Sequence, residues 1–116
     1  MVPVKNFYFF KDINAQGHYE SDVISNTTGE TLIIQIFADT DSSLNFVLRI
    51  LGCVEQDRNN FFVLSCFSST FNVNEDLHLQ GIYTACVEGM CKIKADLHLH
   101  DDGTPISVYA KITKGG

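Results

Sequence analysis

The chain has 116 residues and a mass of 13.0 kDa, with 45% hydrophobic and 19% charged residues. That is one domain able to bury a single core, and neither a disordered chain nor a membrane-embedded one. Eight Lys and Arg against 14 Asp and Glu leave a formal charge of −6, so neither nucleic acid nor an anionic membrane surface is expected as a partner, because both demand clustered cations.

The N-terminus, Met1 to Asp12, lacks a basic region, a clean apolar stretch and a small-residue cleavage site. Synthesis in the cytoplasm without a signal peptide, as a complete short product, is the expectation. Phe7 to Phe10 and Tyr19 to Ile24 are short strand candidates. They are followed by the turn Asn26-Thr27-Thr28-Gly29, a sequon that acquires meaning only in a glycosylating compartment. Thr31 to Asp39 places Leu32, Ile34, Ile36 and Ala38 on one face and Ile33 and Phe37 on the other. Apolar character on both faces predicts a central strand. Asp39-Thr40-Asp41-Ser42-Ser43 resembles the start of a calcium loop but fails further on, where Leu44 and Ile50 occupy the positions of the required Gly and Glu.

Ser43 to Gly52 carries apolar residues at both helical and strand spacing, and its β-branched residues and neighbouring strands favour a strand. Asn60 to Phe67 reads as another two-faced strand, with Phe61 and Phe67 on its second face. Thr70 to Val73 and Gly81 to Val87 are further candidates, separated by the turn Asn74-Glu75-Asp76. Met90 to His100 shows the clearest alternation: Cys91, Ile93, Ala95, Leu97 and Leu99 against Lys92, Lys94, Asp96, His98 and His100. Beyond Asp102-Gly103 the parity switches to Ile106, Val108, Ala110 and Ile112. A tight final hairpin around Asp102-Gly103 would put Leu99 opposite Ile106 and Ile93 opposite Ile112, with Lys94 facing Lys111. The fold class is therefore all-β: an antiparallel, jelly-roll-like sandwich of seven or eight short strands over residues 1–116.

Cys53, Cys66, Cys86 and Cys91 are spaced by 13, 20 and 5 residues, which suits neither a zinc site nor, without secretion, a disulfide framework. Buried free thiols are the simplest reading. His98 and His100 share a strand face and are the candidate metal ligands, with His18 or His78 as a third; solvated imidazoles on an outer face are the alternative. No Gly-x-Ser-x-Gly, phosphate loop or isolated carboxylate pair marks an enzyme, so no catalytic residue and no cofactor is expected. Tyr83 and Tyr109 are candidate contact aromatics, and Tyr109, on the polar side of its strand, is the candidate ligand-binding residue. Phe37, Phe61 and Phe67 would leave an apolar patch on a one-sided sandwich, and so point to self-association, unless strand twist buries both parities.

The segment Gly81-Ile82-Tyr83-Thr84-Ala85-Cys86-Val87-Glu88-Gly89-Met90-Cys91-Lys92-Ile93-Lys94-Ala95, with Gly103-Thr104-Pro105-Ile106-Ser107-Val108-Tyr109-Ala110-Lys111 after it, resembles the ending of small β-sandwich domains in phage and prophage virion proteins of tails, baseplates and fibres. Tyr19 to Ile24 and Leu48 to Gly52 look like upstream strands of such domains, while Cys86 and Cys91 depart from the pattern. The resemblance implies a non-enzymatic structural or attachment part, often oligomeric, that joins other virion proteins after cytoplasmic synthesis. The alternatives are a module recognising a cell-surface glycan, disfavoured by the absence of Trp, and a metal-binding sandwich using His98 and His100.

Overall fold

The computed structural model describes residues 2–39, 44–71, 78–100 and 105–115. These residues form nine strands: β1 (Val2–Ile13), β2 (Gly17–Glu20), β3 (Ile24–Ser25), β4 (Thr31–Asp39), β5 (Leu44–Cys53), β6 (Phe62–Phe71), β7 (His78–Cys86), β8 (Lys92–Leu99) and β9 (Ile106–Lys114). Every pairing is antiparallel. The first sheet has the order β1-β9-β4-β7 and the second β2-β8-β5-β6, with β3 added to β8. With the two-residue β3 set aside, every connection but β5–β6 crosses between sheets, the double Greek-key order of a jelly roll.

Period-two alternation builds the core. In the first sheet Leu32 lies opposite Ile112, Ile34 opposite Ala110 and Ile36 opposite Val108. In the second, Phe46 lies opposite Leu99, Leu48 opposite Leu97 and Ile50 opposite Ala95. All of these side chains are buried in one cluster between the sheets. Ala110 stands beside Ile34 and Ala95 beside Ile50, so small residues face large ones across the strands.

The final hairpin does not form. β8 pairs with β2, β3 and β5, whereas β9 pairs with β1 and β4 in the other sheet. The parity switch across Asp102-Gly103 is real, but it requires only that both strands turn their apolar faces to one core. A chain that crosses from one layer to the other satisfies this as fully as a hairpin. Residues 101–104, where the turn was expected, lie outside the described residues. Lys94 consequently does not face Lys111; it pairs with Glu20.

Other boundaries also move. The strand expected over Ser43 to Gly52 is found as β5, Leu44 to Cys53, with Ser43 outside the described residues, and Thr31 to Asp39 is central, flanked by β7 and β9. The segment from Asn60 to Phe67 is not central: β6 runs on to Phe71, absorbs the start of the separate strand expected at Thr70, and closes the edge of its sheet. Phe62 at its start is 70% exposed, so its apolar run marks an uncovered edge rather than a buried strand. Tyr19 to Ile24 splits into β2 and β3, because at Ser21 a side chain joins the ladder and Ser21 Oγ accepts a hydrogen bond from the Ala95 amide. Residues 40–43 and 72–77 lie outside the described residues, and with them most of the calcium-like Asp39-to-Ser43 segment and the turn expected at Asn74-Glu75-Asp76.

Asn26 ties the layers together at one end. It is buried, and its amide nitrogen lies 2.9–3.2 Å from the carbonyls of Gly29, Val87 and Met90, while Oδ1 accepts from the Gly29 amide. The β7–β8 turn beside it uses Gly89 at φ +83°, closed by Met90 N–H donating to Val87 C=O, a conformation that favours glycine.

Candidate functional site

The two outer faces of the sandwich carry different chemistry. On the first sheet, β9 lies between β1 and β4, so the register sets side chains in cross-strand rows. One row is Asn6, Lys111 and Ile33; the next is Tyr8, Tyr109 and Gln35; then Ser107 meets Phe37. Neighbours within a row are about 5 Å apart across strands, and rows about 7 Å apart along them. The Tyr8 and Tyr109 rings pack edge-to-face, centroids 5.0 Å apart at 66°. Tyr8 is 48% exposed and Tyr109 half-buried. Ile33, Gln35, Tyr109 and Lys111 line a shallow depression of about 130 Å³. The Lys11 ammonium stands 5.3 Å from the Tyr8 ring centroid. Asp12, in the left-handed region at φ 53°, donates its amide to Ser107 Oγ and so pins the irregular end of β1.

Tyr109 is therefore an outer-face aromatic, as its parity implies, but its neighbours are Tyr8 and Gln35 rather than residues of β8. Tyr8 and Gln35 were not singled out by sequence. Gln35 had a signal, since it sits between Ile33 and Phe37 on the second face of β4. Tyr8 had none, because the β1–β9 pairing joins opposite ends of the chain. Tyr83 turns inward instead and packs against the core.

On the second sheet's outer face the histidines, Asp96, Lys94 and Glu20 contact one another, while Arg49 of β5 stays exposed. His18 lies opposite His98, and His18 Nε2 contacts Asp96 Oδ1. His98 and His100 stack with centroids 4.5 Å apart. Lys94 Nζ lies 3.2 Å from Glu20 Oε1 and 4.7 Å from the Phe61 centroid. The structure thus gathers His18, His98 and His100, but no group of three or more His, Cys, Asp or Glu side chains among the described residues is placed to hold a metal ion. The side chain of His78 is not among those described.

All four cysteines are free, but only Cys53 is buried; Cys66 and Cys86 are exposed. The expectation of four buried thiols is corrected, because β6 is an edge strand and Cys86 lies on an outer face. Asn26 of the sequon is buried with its amide engaged, so the folded chain offers it to no modifying enzyme. No helix among the described residues is long and apolar enough to cross a membrane.

The sequence matches no family model and no curated protein. Solved structures do resemble the fold. A structure described as "CBM4 structure and function", a carbohydrate-binding module, aligns over 93% of this chain and 78% of its own, with a TM-score of 0.54 and 10% identity. The K1 cleaved adhesin domain of Lys-gingipain from Porphyromonas gingivalis W83 aligns over 85% of this chain and 63% of its own, with a TM-score of 0.55 and 16% identity. At such identities the likeness concerns architecture alone: the chain is an antiparallel jelly-roll β-sandwich, a fold it shares with a carbohydrate-binding module and a bacterial adhesin domain.

Proposed function

We propose that this protein is a non-catalytic glycan-binding module whose ligand lies on the outer face of the β1-β9-β4-β7 sheet. The observation that carries this reading is the Tyr8–Tyr109 pair, with Tyr8 exposed and Tyr109 half-buried, bordered by Gln35 and Lys111. Sugar rings present apolar C–H faces and polar hydroxyl rims. They need an aromatic surface with a few convergent hydrogen-bonding groups, and this face has both. Two tyrosines packed edge-to-face supply aromatic surface in a chain that has no Trp. The fold likeness to a carbohydrate-binding module and an adhesin domain supports the reading by analogy. For its setting we propose attachment, at the surface of a phage particle or a cell; the virion part of that proposal rests on the sequence resemblance alone.

Affinity electrophoresis against soluble polysaccharides, among them β-glucan, xylan and polygalacturonate, tests the proposal. At least one polymer retards the protein, and Tyr109→Ala abolishes the retardation. Absence of retardation by every polymer, or retardation unchanged in Tyr109→Ala, contradicts it.

A further inference from the structure

We infer, resting on that reading, that the glycan is acidic: its sugar rings carry carboxylate or sulfate groups held by Lys111 and Lys11. The protein has only eight Lys and Arg and an overall charge of −6, yet two of its cations border the aromatic pair. Lys111 lines the depression beside Tyr109, and Lys11 stands over the Tyr8 ring. Neither cation has a carboxylate partner among the described residues, in contrast to Lys94, which pairs with Glu20, and Arg58, which pairs with Glu55. Asp12, the nearest acid on β1, is turned to Ser107 by hydrogen bonds.

A neutral sugar would offer these ammonium groups only hydroxyl oxygens as acceptors, whereas an acidic sugar stacked on Tyr109 brings an anion within reach of one or both. Lys111 lies one row from Tyr109 along β9, and Lys11 lies beyond Tyr8 in the irregular stretch of β1, so they can contact acidic groups on successive residues of one polymer. A charge-assisted hydrogen bond is stronger than a neutral one, and an acidic protein that keeps two unpaired cations at an aromatic patch selects for that charge sign. The opposite sheet also has an exposed cation on its outer face, Arg49 of β5, but no tyrosine pair stands beside it among the described residues.

The test uses the full chain and two matched pairs of polymers: polygalacturonate with its carboxyl-reduced form, and dextran sulfate with dextran. The acidic member of at least one pair binds about tenfold or more tightly than its neutral counterpart. This preference fades as salt rises from about 0.01 M to about 1 M, where the screening length shrinks from about 30 Å to about 3 Å. Lys111→Gln removes most of the preference, and Tyr109→Ala abolishes binding altogether. The pair that responds tells carboxylate from sulfate. Equal or tighter binding of the neutral polymers overturns the inference while leaving glycan binding intact. Binding of the acidic polymers that survives Tyr109→Ala reveals diffuse charge attraction and overturns it as well. Failure of all four polymers to bind overturns the inference, and the wider polysaccharide panel then decides the glycan reading separately.

Discussion

The outer faces of the two sheets are built on one core by the same alternation, yet they differ in what their polar groups touch. On the β2-β8-β5-β6 face, His18 meets Asp96, Lys94 meets Glu20, and His98 stacks on His100. On the β1-β9-β4-β7 face, Gln35 and Lys111 make no side-chain hydrogen bond among the described residues and flank an aromatic pair. A face whose polar groups are mutually satisfied gains little by taking a ligand. A face whose donors still point to water can exchange that water for a ligand's hydroxyls and anions. Histidines two apart were the more conspicuous sequence motif, yet the quieter face has the better binding chemistry.

The largest effect comes from cutting what both faces share. Asn26→Ala leaves the carbonyls of Gly29, Val87 and Met90 without their donor at the end where the layers meet. It should lower unfolding free energy by about 3 kcal/mol in urea denaturation, since each orphaned buried group costs about 1–3 kcal/mol. A loss below about 1 kcal/mol would mean that water replaces the clasp.

Tyr109→Ala separates the faces. Glycan affinity falls beyond detection, while stability falls by only about 1 kcal/mol, the scale of one aromatic pair. His98→Ala is its mirror and leaves glycan affinity unchanged. Gln35→Ala is milder: losing one or two exposed hydrogen bonds weakens binding about three- to tenfold in calorimetric titration, with thermal midpoint preserved. Smallest of all, Glu20→Gln breaks an ion pair at the surface and changes stability by less than about 1 kcal/mol, with no effect on binding.

Much of the fold was legible because burial imposes a period of two. β4 was read from Thr31 to Asp39 with both ends correct, and β8 and β9 were read with the right inner residues. Layer assignment was not legible, since an alternating strand states which side faces the core and not which sheet it joins. That single ambiguity produced the false hairpin and the false Lys94–Lys111 contact. The candidate site was half legible for the same reason. Parity placed Tyr109, Ile33 and Phe37 outward, but only the β1–β9–β4 register brings Tyr8, Tyr109 and Gln35 into one row.

The central claim, that ligand lies on one outer face and not the other, is tested most directly by following backbone amide resonances during titration with an oligomer of whichever polysaccharide the protein retains. Shifts confined to Asn6, Tyr8, Ile33, Gln35, Tyr109 and Lys111 and their chain neighbours are the predicted result. Shifts centred on His18, Asp96, His98 and His100, with the tyrosine face silent, would contradict the account.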